Sequence, residues 1–196
     1  MNEIEQFFDR RASDWDSLHR RQDFETIERV FSRISITKED YILDVGAGTG
    51  ILAPYLIETG CRFTALDLSG KMLEMYRKKF PSALTVQGDY EKDDLFADNS
   101  FTKIIIYNSF PHFTNPFLVF EKAHAHLAEG GGLIIFQSMN RLALDQKHRS
   151  VGGTVARHSL YPDADLLTAL SHAGFAENFI LDEDFFLLQG RKKKGV

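Results

Sequence analysis

The chain has 196 residues, of which 43% are hydrophobic and 26% are charged, and this composition is typical of a folded domain with its own core. The formal net charge of −5 disfavours nucleic acid or an anionic membrane as the main partner. A single cysteine, Cys61, excludes an internal disulfide and a cysteine-based metal cage.

No targeting or membrane signal is found in the sequence. The first residues lack the basic-then-apolar order of a signal peptide. No apolar run approaches the ~20 residues that a membrane span needs. We therefore expect a cytoplasmic protein with no membrane partner.

Residues 1–36 are predicted to form an N-terminal helical cap. Residues 2–14 should form a short amphipathic helix and residues 22–34 a second one, because their apolar side chains recur at the spacing of one helical face. The cap is followed by a polar turn, after which the pattern of the chain changes.

Beyond residue 40, short apolar strands alternate with helical segments. Strands are predicted at 41–45, 62–66, 83–86, 103–107 and 133–137, and helices at 51–59, 70–80, 115–128 and 162–173. Residues 177–181 and 185–190 are two further strands, too close in sequence for a crossover helix, so they should form an antiparallel hairpin. The pattern predicts one α/β domain over residues 1–196, with a Rossmann-like, doubly wound sheet of seven strands, mostly parallel with one antiparallel strand at the C-terminal hairpin.

Three connections are less regular. Residues 91–100 are acidic and are predicted to form a short helix and a turn, and residues 129–132 a glycine-rich turn. Residues 138–161 form the longest connection. Because long connections in compact domains tend to carry function, we predict a substrate-recognition insertion there.

A glycine-rich loop lies between the first strand of the sheet and the helix that follows it. Gly46, Gly48 and Gly50 would let backbone N–H groups approach a ligand, and the helix start adds a positive dipole. A dinucleotide site needs the spacing G-x-G-x-x-G, whereas the spacing here is G-x-G-x-G. The loop also has no lysine placed like that of a P-loop.

Polar side chains lie at the ends of four successive strands. Asp44 could accept a hydrogen bond from a ligand ammonium, Asp67 from ribose hydroxyls and Asp89 from an adenine amino group. Asn108 ends the fourth strand, beside the crevice where open α/β sheets bind ligands. The four positions together predict a nucleoside cofactor.

With these residues in place, the chain resembles the class I S-adenosylmethionine (SAM)-dependent methyltransferases. The matching stretches, in the order of the family, are L-D-V-G-A-G-T-G, A-L-D-L-S, Q-G-D-Y, I-I-I-Y-N-S-F-P-H-F and L-A-E-G-G-G-L-I-I-F. The resemblance covers roughly residues 40–137. One departure is Thr102-Lys103, where many members of the family carry Asp just before the fourth strand.

The resemblance implies a cofactor, SAM, and a role for each matching residue. The methionine half of SAM would be held by Asp44, Gly46, Ala47 and Gly48 and lined by Asn108. Asp67 would bind the ribose hydroxyls, Leu68 would lie against the adenine, and Asp89 and Tyr90 would bind the adenine edge and face.

The acceptor side has weaker signals, because methyl transfer from a sulfonium needs mainly orientation and exclusion of water. His112 is a candidate general base, and a structural hydrogen-bonding role is its alternative. Trp15 could close over the cofactor or substrate, or simply pack the cap onto the core.

The segment 138–161 supplies further candidates. His148 and His158 flank a Gly152-Gly153 turn and are candidates for substrate contacts. The sequence lacks a third ligand of fixed spacing, so we predict no metal site. Candidates for contact with an anionic acceptor are Arg141, Arg149 and Arg157.

We predict a methyltransferase that acts on a small molecule, with no nucleic acid partner. No N-P-P-Y-like motif follows the fourth strand, which instead continues Y-N-S-F. The alternatives are a SAM-binding sensor or partner subunit without catalysis and, less favoured by the loop spacing, an NAD-dependent oxidoreductase. The acceptor atom and the oligomeric state stay open.

Overall fold

The computed structural model describes residues 3–151 and 159–195. These residues contain one sheet of seven strands, β1 (Tyr41–Val45), β2 (Arg62–Asp67), β3 (Leu84–Gln87), β4 (Phe101–Tyr107), β5 (Leu127–Gln137), β6 (Phe175–Asp182) and β7 (Phe186–Lys192). The strand order is β3-β2-β1-β4-β5-β7-β6.

The strand pairing confirms the predicted sheet. Strands β1 to β5 pair in parallel, and β7 lies between β5 and β6 and runs antiparallel to both. The direction of strand addition reverses between β1 and β4. In open α/β sheets, ligands bind at the carboxyl ends of the strands at such a switch point.

Helices cover both faces of the sheet. The described helices are α1 (Glu3–Asp9), α2 (Arg21–Phe31), α3 (Ala53–Thr59), α4 (Gly70–Lys79), α5 (Pro116–His126), α6 (Arg141–Val151) and α7 (Asp163–His172). Every helix in this described part of the chain is too short or too polar to span a membrane.

The central strand β4 shows why its sequence is continuously apolar. Ile104 packs on one face with Phe120 of α5 and Leu170 of α7. Its neighbour Ile105 packs on the other face with Ile27 of α2. Because successive side chains of a strand point to opposite faces, a strand that is covered on both sides needs apolar residues at every position.

The predicted helix within residues 91–100 is wrong, since the structure has turns there. Asp93 Oδ2 accepts the N–H of Asp89 at 2.8 Å, and Asp89 Oδ1 accepts the N–H of Glu91 at 3.1 Å. The Glu91 carboxylate accepts the N–H of Asn115 at 2.6 Å. The two short aspartate side chains bind nearby backbone donors and thereby favour turns over a helix, and Glu91 ties the segment to the start of α5.

The segment 138–161 is more regular than predicted, because it contains α6. Asn140 Oδ1 accepts the N–H of Ala143 at 2.9 Å and so caps the helix start. Leu144 and His148, one helical turn apart, are both buried and form the inner side of the helix. The Gly152-Gly153 turn lies outside the described residues.

The predicted glycine turn before the fifth core strand is also wrong, because these residues belong to β5. Phe101 pairs with Leu127, whereas Lys103 pairs with Gly132, so the register shifts between them. Gly130 has a φ of +74°, which glycine adopts without strain. The glycines therefore form an irregularity within the strand.

The departure at Thr102-Lys103 has a local explanation. Asp40, just before β1, accepts hydrogen bonds from Lys103 Nζ at 2.5 Å and from Thr102 Oγ1 at 2.7 Å. It also accepts the N–H of Thr37 at 2.8 Å. At this end of the sheet the carboxylate is therefore Asp40, just before β1, and its side-chain partners Thr102 and Lys103 are on β4.

The glycine loop rests on the ring of Tyr76, which gives a test of the fold. In Gly50→Ala a Cβ would lie 2.8 Å from that ring, at a φ of +94°. We expect the free energy of unfolding to fall by about 2–4 kcal/mol, measured in urea, from overpacking and backbone strain. Gly60→Ala is the control. Its φ is +70° but its nearest neighbour is Lys38 Cβ at 3.8 Å, so about 1 kcal/mol should be lost. Equal losses in both variants would contradict the packing of Tyr76 under the loop.

Candidate active site

A cavity of about 520 Å³ opens at the carboxyl ends of β1, β2, β4 and β5. Its volume is within the range of small-molecule sites. The N-terminal segment and α6 form its outer walls. The predicted cofactor-binding residues and three of the predicted acceptor-side residues line it: Trp15, Asp44, Gly46, Ala47, Gly48, Asp67, Leu68, Asp89, Tyr90, Asn108, His112 and His148. His158, the other histidine candidate of the segment 138–161, lies outside the described residues.

The glycine loop is tied to the end of β2. The N–H groups of Gly46 and Ala47 both donate to the carbonyl oxygen of Leu66, at 2.8 and 3.0 Å. Gly46 has a φ of +72°, and a Cβ there would collide with the Ser109 side chain. Glycine is therefore required at this position both for its backbone conformation and for its lack of a side chain.

Asp67 joins the loop to the start of α4. Its Oδ2 accepts the N–H of Gly48 at 2.7 Å, and its Oδ1 accepts the N–H of Ser69 at 2.8 Å. Burial raises the pKa of Asp67 to about 6, although these two N–H groups oppose the rise. Each carboxylate oxygen has a second lone pair, so Asp67 can still accept hydrogen bonds from a ligand hydroxyl.

Asp44 lies beneath the loop and is only 1% exposed. Its Oδ2 is buried and has no hydrogen-bond partner among the residues of ranges 3–151 and 159–195. Burial and, to a smaller extent, the charge of Asp67 raise the pKa of Asp44 to about 8. A buried carboxyl oxygen without a partner in a cavity wall is the arrangement expected of a ligand-binding group.

The end of β3 supplies Asp89 and Tyr90. Asp89 Oδ2 accepts from Lys92 Nζ at 2.7 Å. Tyr90 is 3% exposed, and its hydroxyl lies 3.2 Å from Nδ1 of His126. Tyr90 is thus mainly a core residue, and a face-on contact with adenine stays a prediction.

Asn108 connects the ends of β4 and β5 with the cap. Its Oδ1 accepts the N–H of Ser138 at 2.9 Å, and its φ of +50° is the left-handed conformation that Asn tolerates. Asp23 of α2 accepts from Asn108 Nδ2 at 3.3 Å, from Tyr107 Oη at 2.9 Å and from the N–H of Arg20 at 2.7 Å. Asp23 therefore fastens α2 to the cavity wall.

Two further aspartates fasten the first part of the N-terminal segment. Asp9 accepts from Ser69 Oγ at 2.5 Å, at the start of α4. Asp16, in the 3₁₀ turn Trp15–Leu18, accepts from Lys79 Nζ at 2.7 Å and also from the Thr49 hydroxyl of the glycine loop. The helix predicted over 2–14 is consequently shorter, since α1 ends at Asp9.

A row of aromatic rings crosses the cavity from the glycine loop to α6. Nε1 of Trp15 lies 3.8 Å from the position of a Cβ on Gly48. The ring centroids of Trp15 and Phe8 are 5.4 Å apart, those of Phe8 and His112 are 5.2 Å apart, and those of His112 and His148 are 5.6 Å apart. The structure thus brings together Trp15, His112 and His148, which are far apart in sequence.

Several cavity residues were missed at the level of sequence. Asp23, Arg20 and Lys147 line the cavity, and so does Gln137, which is 1% exposed. Helical spacing places Asp23 near the apolar face of α2, and a carboxylate next to such a face is the signal that could have indicated a specific partner.

The arginine candidates for an anionic acceptor are not supported by the described residues. Arg141 forms ion pairs with Asp163 and Asp182 and stabilises the contact between α6, α7 and β6. Arg149 is exposed and does not line the cavity. Arg157 is outside the described ranges. In the described part of the chain, no group of three or more His, Cys, Asp or Glu side chains is placed to hold a metal ion.

The fold and the site define a class of protein. Residues 43–135 match a family model described as a methyltransferase domain. This range holds the glycine loop, the three strand-end aspartates, Asn108 and His112. The matched range and the fold are those of a class I SAM-dependent methyltransferase domain, which confirms the recognition and the cofactor that the motifs predicted.

Known relatives match about half of the chain. A demethylmenaquinone methyltransferase from Chlorobaculum parvum is 35% identical over 103 residues, which are 52% of this chain and 42% of that protein. A ribosomal RNA small subunit methyltransferase A from Chlorobium phaeobacteroides is 28% identical over 102 residues, 50% of this chain and 39% of that protein. The chain thus spans about two fifths of the length of these relatives.

Solved structures share the whole fold. The methyltransferase in complex with the Haloferax volcanii Trm112 methyltransferase activator superimposes with a TM-score of 0.81 at 19% identity. The match covers 95% of this chain and 97% of that one. At this level of identity, the likeness concerns the fold alone.

The raised pKa of Asp44 predicts how stability depends on pH. An unfolded Asp has a pKa of ~3.9, whereas burial raises that of folded Asp44 to about 8. Between these values the folded state holds a proton that the unfolded state has lost, so the Asp44 contribution to stability falls as the pH rises.

Asp44→Asn removes this titration. We therefore expect the free energy of unfolding of the variant, relative to that of the native chain, to increase as the pH is raised from about 5 to about 8. The gain should reach about 1–3 kcal/mol, measured by unfolding in urea. Asp14→Asn, at an exposed position, is the control and should show no such gain. A gain from Asp44→Asn that is the same at both pH values would contradict the burial of an ionisable Asp44.

Proposed function

We propose that this protein transfers the methyl group of SAM to a small-molecule acceptor bound under the N-terminal segment. The observation that carries the proposal is the buried, unpartnered Asp44 oxygen, within the described residues, at the base of a cavity whose glycine loop is fixed by Asp67. A ligand cation would supply the missing partner of Asp44, and ligand hydroxyls would donate hydrogen bonds to Asp67.

The residues present fit SAM as the occupant of the inner half of the cavity. Asp44 offers a carboxylate to the ammonium of the methionine part, and the space at the Cβ position of Gly48 leaves room for its backbone-like atoms. Asp67 accepts from the ribose hydroxyls. Leu68 and Asp89 provide one apolar and one polar contact for adenine.

The outer half of the cavity suits a small acceptor. Phe8 and Trp15 lie over it, and the cap that carries them is fastened through Asp9, Asp16 and Asp23. A covered cavity of this size favours a small acceptor over a folded RNA or protein surface, and the net charge of −5 gives RNA no general attraction. Because ribosomal RNA methyltransferases are among the relatives, RNA is the alternative acceptor that an experiment must compare with a small molecule.

The bound cofactor supplies a methyl group that is already electrophilic. The chain therefore needs to orient the acceptor, exclude water and receive a proton if the acceptor loses one. We assign the exclusion of water to Phe8 and Trp15. His112, beside Phe8 at the end of β4, is assigned the role of proton acceptor. A cytoplasmic location stays a prediction from the sequence.

Transfer of a labelled methyl group tests the function. The protein is incubated with methyl-labelled SAM and either the low-molecular-weight fraction of a cell extract or total RNA. We expect label in the small-molecule fraction and formation of S-adenosylhomocysteine (SAH). Label in RNA alone would contradict the small acceptor, and binding of SAM without turnover in any fraction would favour the sensor without catalysis.

Variants of two histidines sharpen this assay. His112→Asn should lower the turnover rate about a hundredfold, the lower end of the contribution of a general base, with SAH affinity unchanged. His172→Asn, on the exposed end of α7, is the matched control and should keep full activity. Unchanged turnover in His112→Asn would exclude His112 as the proton acceptor.

A further inference from the structure

Two cationic side chains at the cavity have no role in the site so far. Arg20 precedes α2, and Lys147 lies on α6, one residue before His148. Both line the cavity, and both are exposed to solvent at its mouth. They therefore come from the two elements that form its outer walls.

The charges of the two cations and of Asp23 act on one another across the cavity mouth. Partial burial lowers the pKa of Lys147, the charge of Asp23 opposes this, and the charge of Arg20 adds to it. Arg20 and Lys147 repel each other, and an anion bound between them would relieve this repulsion. Within residues 3–151 and 159–195, neither side chain forms an ion pair with a carboxylate.

The nearby acids do not neutralise both cations. The oxygens of Asp23 accept from Tyr107, from Asn108 and from the backbone N–H of Arg20. These hydrogen bonds hold the carboxylate in the wall, where its charge acts on Lys147. Glu91 is bound by the backbone N–H groups that precede α5, and Asp16 is paired with Lys79.

The space beside these cations is apolar. Leu144 and Met139 line it from the side of α6, and Phe8 and Trp15 line it from the cap. Flat aromatic rings and aliphatic side chains favour an apolar, planar ligand. The outer half of the cavity therefore combines an apolar interior with a positively charged mouth.

We infer that the methyl acceptor is a small molecule with a flat apolar body and one anionic group, a carboxylate or a phosphate, which Arg20 and Lys147 bind at the cavity mouth. The inference rests on the proposed function, since it concerns the acceptor of the same site. Arg20 would hold the anion through its planar donor pair and Lys147 as a point charge. The body of the acceptor would extend inward toward His112.

Four single-ring probes test the inference. Phenyl phosphate, benzoate, benzyl alcohol and benzylamine differ mainly in charge, and each is titrated calorimetrically into the protein with and without SAH. We expect phenyl phosphate and benzoate to bind at least tenfold more tightly than benzyl alcohol, and benzylamine to bind most weakly. Phenyl phosphate that binds better than benzoate identifies phosphate as the group, and the reverse identifies carboxylate.

Matched variants locate the binding. Lys147→Met and Arg20→Met should each weaken the preferred anionic probe about tenfold and leave SAH affinity unchanged. Lys38→Met and Arg21→Met are the controls, because both side chains are highly exposed and neither lines the cavity. Both should leave binding of the probe unchanged.

The outcomes separate this inference from the proposed function. Three results would overturn the anionic acceptor while SAH still binds. Benzyl alcohol or benzylamine could bind as tightly as the anions, or neither anion could bind. The third result is anion binding that survives both cavity variants. Failure of SAH to bind would instead overturn the proposed function, and the titrations without SAH would still decide whether the mouth of the cavity binds anions.

Discussion

The carboxylate of Asp67 holds the glycine loop and the start of α4 in one arrangement, and the rest of the site depends on it. One of its oxygens accepts from Gly48 and the other from Ser69. With the loop held in this way, Asp44 is enclosed below it, and in the described structure one of its oxygens lacks a partner. A folded domain rarely retains so costly a group except where a ligand completes it.

The cap is joined to the same elements that form the inner half of the cavity, where we place SAM. Asp9, Asp16 and Asp23 bond respectively to the start of α4, to the glycine loop with the end of α4, and to the end of β4. The cap and the glycine loop are therefore linked by hydrogen bonds. Phe8 and Trp15, which line the cavity from the cap, are held in place by these same three aspartates.

The sequence allowed good prediction of the features that depend on local pattern. The seven strands, the glycine loop and the strand-end aspartates follow from apolar runs and from residue types at fixed spacing. The role of Asp23 could not be read in this way, because its partner Tyr107 is 84 positions away. The start of helix α6 is capped by Asn140 and by the distant Asp182, and the turns within 91–100 depend on side chains that bind backbone groups. Apolar periodicity does not reveal such side-chain bonds to the backbone.

The central claim is that Asp44 and Asp67 form a SAM site. It is tested most directly by calorimetric titration of the folded protein with SAH near neutral pH in buffers of different ionisation enthalpy. We predict a micromolar dissociation constant and release of a proton on binding, because an ammonium beside Asp44 favours the carboxylate form of a group whose pKa burial has raised to about 8. Absence of binding to the folded protein, or binding without proton release, would contradict the account.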